Sequence, residues 1–209
     1  MDTEYVRRNY SFDVRAEQSE RGSILTGRPV VYNSRTDLRY FDEIIMPGAL
    51  DNTDLTDVRF LVNHNTDMIP LARSRRNNGN STMQLSVDAE GLSMDYVLLD
   101  TENNADARAL YSAVERGDIS GMSFMFRIDA EEWDNLESDH PTRRILRISH
   151  IYEVSAVTFP AYDDTSINAR NMEALDNARS ALENARGAVL LDSGLELEKE
   201  KTKTILLRR

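Results

Sequence analysis

The chain has 209 residues, 40% of them hydrophobic and 29% charged, enough for one domain with a sizeable core plus an appendage. It contains no apolar run of the roughly eighteen residues that a membrane span needs. The lack of cysteine excludes disulfides, thiol nucleophiles and thiolate metal sites, and a net charge of −11 argues against a surface that grips phosphate backbones. The start, Met1-Asp2-Thr3-Glu4-Tyr5, is acidic and polar and does not read as a signal peptide. A soluble intracellular product with neither nucleic acid nor membrane as a partner is expected.

The charge is unevenly spread. All three lysines, Lys199, Lys201 and Lys203, fall close to the end, and residues 171–209 balance seven basic against seven acidic side chains. Residues 1–170 therefore carry the whole excess of acid, and a domain boundary is expected there, with 171–209 as a helical, low-complexity tail.

In chain order, Tyr10 to Val14 alternates and predicts a first strand, followed by a polar turn through Glu17 to Gly22. Ser23 to Tyr32 predicts a second strand, with a bulge or an edge marked by Gly27 and Pro29. Tyr40 to Ile45 leads to Met46-Pro47-Gly48-Ala49-Leu50, a turn suited to opening a short helical segment, and Val58 to His64 is a strongly apolar strand. Arg73 to Ser81 reads as a basic, Asn-rich loop. Thr82–Val87 and Leu92–Leu99 read as strands joined by a tight Glu90-Gly91 turn.

Between Asn104 and Arg116 the period changes. Ala107, Leu110, Tyr111 and Val114 share one helical face, and Gly117 suits a helix C-terminus. The chain then enters Ile119-Ser120-Gly121-Met122-Ser123-Phe124, where Met122, Phe124, Phe126 and Ile128 alternate with Ser123, Met125 and Arg127. The alternation points Ser123 away from its large neighbours, where its hydroxyl can be open to a ligand. Asp129 to Pro141 reads as an acidic loop. Arg144 to Tyr152 alternates, with Leu146, Ile148, His150 and Tyr152 on one side, and Pro160 stops the strand. Beyond, Ala174, Leu175, Ala178, Ala181, Leu182 and Ala185 keep helical spacing to a stop at Gly187; the helix is expected to dock loosely or to pair with another chain.

A serine becomes a nucleophile when a base takes its proton and a third group orients that base. Of three histidines, His140 lies in an acidic loop, His150 lies on an apolar strand, and His64 ends a buried strand, where a structural role and a base role are equally open. Glu153 sits in an apolar strand, where an unpaired charge would be costly, so it should have a specific partner, for which an imidazole would serve. Ser155 is a rival nucleophile on the same strand, though its apolar flanks suit a buried hydroxyl better. No two histidines share a short spacing and no carboxylate cluster accompanies them, so neither a metal nor another cofactor is expected.

Six segments occur in order: Gly27 to Asn33, Phe41 to Ala49, Leu61-Val62-Asn63-His64-Asn65, Ala89-Glu90-Gly91-Leu92, Ile119 to Phe124, and Tyr152 to Ala161. Together they resemble the tailed-bacteriophage prohead proteases, capsid maturation serine proteases distantly related to the herpesvirus assemblins. Ala72, where a glycine is common, and His150, where an apolar residue is usual, depart from the pattern. The resemblance implies a mainly β fold with surrounding helices, a closed or nearly closed barrel of about seven strands. It implies Ser123 as nucleophile, His64 as base and Glu153 as third member, with His150 as the alternative. It implies as substrates the scaffold segment of the major capsid protein or a separate scaffold protein, and the protease itself, acting inside the assembling prohead in the host cytoplasm, with a homodimer suggested by a relative. Self-cleavage is expected between about 165 and 190, where the chain looks exposed. The competing reading is a non-catalytic assembly or scaffold-binding protein that retains the fold.

Overall fold

In the computed structural model, which describes residues 5–10, 14–158 and 176–191, eleven strands and two helices follow one another. They are β1 (Tyr5–Tyr10), β2 (Arg15–Ser19), β3 (Gly22–Val31), β4 (Arg35–Asp37), β5 (Asp42–Ile45), β6 (Arg59–Val62), β7 (Ala72–Arg73), β8 (Met83–Asp88), β9 (Gly91–Leu98), α1 (Ala105–Glu115), β10 (Gly121–Asp134), β11 (Thr142–Val157) and α2 over 176–191. The class is α+β, dominated by sheet. The strands pair into a seven-stranded sheet in the order β1-β10-β11-β5-β4, with β6 on β11 and β7 on β6, and a four-stranded sheet in the order β2-β3-β9-β8. The two sheets adjoin where β10 meets β3 and β7 meets β8.

Strand β11 is the hub. Along one edge it pairs antiparallel with β10; along the other it pairs in parallel with β5 over Thr142–Ile145 and with β6 over Glu153–Ala156. Between those two strands the chain still follows β11: Met46 N–H donates to Ile145 O (3.0 Å), Ile148 N–H to Ala49 O (2.8 Å), and Asp54 N–H to Ser149 O (2.9 Å). The expected helical segment after Met46 is a series of turns instead, Ala49 N–H bonding to Met46 O and Thr53 N–H to Leu50 O.

Met122, Phe124 and Phe126 on β10 and Ile145, Ile148, Ile151, Val154 and Ala156 on β11 are fully buried and form the floor of the core. The buried apolar residues of β11 step by three from 145 to 154, not by two. Register shifts against β10 explain it: Leu146, Ser149 and Tyr152 are extra residues, and each adds one step before the chain returns to the core face at the second residue beyond it, Ile148, Ile151 and Val154. The expected common face of Leu146, Ile148, His150 and Tyr152 therefore does not exist; Ile148 alone of the four is buried. The bulge at Tyr152 decides the site, because it lets Ile151 and Val154 share the core face while Glu153 and Ser155 take the other.

Other departures have local causes. The first strand ends at Tyr10 instead of beginning there, and residues 11–13 lie outside the described residues. The expected polar turn from Glu17 is mostly strand β2, paired with β3 through Ser19 and Gly22. The acidic stretch after Asp129 stays in β10 as far as Asp134, where cations meet it from β11, Arg143 bonding Glu131 and Arg144 lying 2.6 Å from Asp134; residues 135–141 form the expected loop. Gly27 sits at register shifts in β3, as its sequence position suggested. At the β8–β9 turn, Gly91 has φ 144°, and a Cβ there would fall 2.1 Å from Val30 O.

Helix α1 matches its expected span. Asn104 caps it by accepting from Asp106 and Ala107 N–H, Ala107, Leu110 and Val114 are buried, and Gly117 follows with φ 78°. Helix α2 is seated more firmly than its sequence suggested. Ala178 and Leu182 are buried beside Phe41, which packs edge-on to Trp133 at 4.8 Å, and Arg186 donates to Leu136 O and Ser138 O. The helix also runs past Gly187 to residue 191. Ala174, Leu175 and the stretch before them lie outside the described residues.

Candidate active site

The geometry begins where β6 and β11 end side by side. Asn63 N–H donates to Ala156 O (2.9 Å), while the Asn63 side chain bonds Thr158 at both its hydroxyl (3.0 Å) and its N–H (3.0 Å). The chain then turns through two successive left-handed residues, Asn63 (φ 52°) and His64 (φ 57°). Asparagine tolerates that region; a histidine there is uncommon and must be held by its surroundings. Ser155 Oγ holds it, accepting the His64 N–H at 3.2 Å. The turn aims the imidazole back over β11.

There it meets a buried acid. His64 Nδ1 is in hydrogen-bond contact with Glu153 Oε1, with the side chains 14% and 3% exposed respectively. The other carboxylate oxygen, Oε2, accepts from Ser155 Oγ–H at 2.5 Å. Glu153 is thus buried with two partners, one on each oxygen, as a carboxylate in an apolar strand requires. With Nδ1 against the carboxylate, the tautomer carrying its proton on Nδ1 is favoured, which makes Nε2 the basic nitrogen.

Ser123 enters through the β10–β11 register, which sets it directly opposite Ser155, two pairs along from Met125 opposite Glu153. Directly opposed residues of an antiparallel pair project to the same face with Cβ atoms about 5 Å apart, so Ser123 shares the face of Ser155 and Glu153. On its other side Ser123 is flanked by Asn9 of β1. Contrary to the expectation of an open hydroxyl, Ser123 is fully buried, and the imidazole is the partly exposed member of the group.

The remaining histidines lie elsewhere. His150 Nδ1 is 3.2 Å from Asp54 Oδ2, and its ring packs on Tyr152 with centroids 4.3 Å apart. Asp54 is held below its ordinary carboxylate range, first by hydrogen bonds from Thr56 and then by His150. His140 Nε2 lies 3.3 Å from Asp42 and 3.8 Å from Asp37, so carboxylates do gather about one histidine, which sequence spacing did not suggest. They meet because Asp37 and Asp42 are direct cross-strand partners, and Arg35, 2.5 Å from Asp42, supplies the compensating cation. The part played by Ser155 was missed as well. Only the register and the tight turn at His64 reveal it.

Residues 10–178 match the family model described as caudovirus prohead serine protease. The chain belongs to this family. No curated protein and no solved structure matches it. Family membership assigns the general role, a serine protease of capsid maturation, and the matched span takes in His64, Ser123, Glu153 and Ser155. No helix among the described residues is long and apolar enough to cross a membrane.

Proposed function

We propose that the chain is a serine endopeptidase in which Ser123 is the nucleophile, His64 the base and Glu153 the orienting acid. The observation that carries this reading is the Nδ1 contact between His64 and the buried Glu153, on the face that the register gives to Ser123. Ser123 Oγ attacks the peptide carbonyl carbon as its proton passes to His64 Nε2, and the imidazolium is stabilised by the Glu153 carboxylate. The tetrahedral intermediate collapses as Nε2–H protonates the leaving amine, giving an acyl-enzyme that water then hydrolyses by the same proton path. Glu153, with its carboxylate on Nδ1, takes the third position in this reading, and His150, paired with Asp54, does not.

The substrates are the scaffold segment of the major capsid protein, or a separate scaffold protein, and the protease itself, cut inside the assembling prohead. The same reading takes the two sheets as parts of one barrel related to the herpesvirus assemblins, and allows a homodimer. Self-cleavage is placed between about 165 and 190, on the N-terminal side of the docked helix or within it after that helix unfolds. Labelling with a fluorophosphonate probe tests the assignment: it should be lost in Ser123→Ala and in His64→Ala. Intact-mass analysis of wild type and Ser123→Ala tests self-cleavage, since equal shortening of both assigns the cut to another enzyme. A folded wild type that neither labels nor shortens would favour a non-catalytic assembly module.

A further inference from the structure

Ser155 has no task in a three-residue account, yet it touches two of the three positions. We propose that Ser155 is a positioning residue of this site, whose hydroxyl locks the Glu153 carboxylate and the His64 main chain together; the inference rests on the proteolytic reading above.

Ser155 is fully buried, and its hydroxyl has one proton to donate. That proton goes to Glu153 Oε2 at 2.5 Å, so it is engaged by an acid and not by a base. An oxygen lone pair accepts the His64 N–H at 3.2 Å. One hydroxyl therefore fixes both ends of the imidazole's support. By holding Oε2 it stops the carboxylate from rotating about its own axis, which keeps Oε1 on Nδ1. By accepting from His64 N–H it stabilises the left-handed backbone at φ 57° that directs the ring toward β11. A methyl group at position 155 would remove both the acceptor of the His64 N–H and the donor to the buried Glu153 Oε2.

The test compares Ser155→Ala and Ser155→Thr with wild type, Ser123→Ala and His64→Ala. Saturation kinetics of fluorophosphonate labelling separate the maximal rate from probe affinity, and the low-field proton resonance of the His64 Nδ1–H···Glu153 hydrogen bond reads the geometry without any chemistry. Ser155→Ala should slow the maximal rate by roughly ten- to a hundredfold, the effect of one hydrogen bond to a charged group, with probe affinity unchanged. Its resonance should shift or broaden while that of Ser123→Ala persists. Ser155→Thr, which keeps the hydroxyl, should recover most of the rate and the resonance. Wild-type labelling and an unaltered resonance in Ser155→Ala would overturn the positioning role and leave the protease reading standing. Labelling that survives in Ser123→Ala but not in Ser155→Ala would make Ser155 the nucleophile and overturn both. Should wild type itself fail to label, the protease reading falls, and the resonance alone decides whether Ser155 positions the pair.

Discussion

Glu153→Gln isolates the charge of the buried acid from its shape. In wild type one carboxylate oxygen faces His64 Nδ1 and the other accepts from Ser155. Glutamine fills the same volume and can still accept from Nδ1–H while its amide faces the Ser155 oxygen, so the fold should hold, with a melting temperature within a few degrees of wild type. What is lost is the attraction between carboxylate and imidazolium. With charge centres about 4 Å apart and an effective dielectric constant of about 20, that attraction is worth roughly 4 kcal/mol, or about a thousandfold in rate. The amide can also turn its NH2 toward Nδ1 and favour the unproductive tautomer, which acts in the same direction. Fluorophosphonate labelling followed by intact mass, beside a thermal melt, measures both quantities. A Glu153→Gln protein that labels within about tenfold of wild type would refute the reasoning, because the acid would then not be stabilising the charge on His64.

Three further outcomes concern the scaffold that holds the site. Phe124 is fully buried and stacks on Phe126 with centroids 4.7 Å apart, next to Ser123; Phe124→Ala should cost about 3–5 kcal/mol in urea unfolding, with an unchanged slope. Gly91→Ala would push a methyl group into Val30 O and should destabilise by several kcal/mol or prevent folding, seen in the yield of soluble protein and in the melt. Asp88 is held far below its ordinary carboxylate range, chiefly by the Arg28 guanidinium at 2.7 Å. Because its folded-state value is depressed, the stability it contributes is complete above the unfolded value of about 4 and is lost as the pH falls below that. With Asp88 43% exposed, solvent screening limits the pair to about 1 kcal/mol, so Arg28→Ala should lower stability by at most that at pH 7 and by progressively less in acid.

Much of the fold was legible locally. Helix α1 has a side-chain cap, a four-residue apolar face and a terminal glycine, all written within fourteen positions of each other from Asn104 to Gly117. The β8–β9 hairpin and the Ser123 strand likewise follow from alternation alone. Strand β11 was misread because a bulge has no composition of its own. Leu146, Ser149 and Tyr152 look like ordinary members of an alternating strand until the register against β10 shows each to be an extra residue. The seating of α2 was also underestimated, since small alanines give a weak apolar signal and their partner, Phe41, lies far away in the chain.

For the site, residue chemistry by itself singled out a short list: a serine on an alternating strand, three histidines, and an acid in an apolar strand that could not be left unpaired. The resemblance carried by the six ordered segments named Ser123, His64 and Glu153 from that list; residue chemistry alone could not, because the contacts join residues about ninety positions apart, as with His64 and Glu153. Tertiary structure alone set Glu153 against His64, sent His150 to Asp54, and gave the Ser155 hydroxyl its two partners. The reason is physical: pairing energies depend on separation in space, and spacing along a chain with bulged strands and a left-handed turn does not encode that separation.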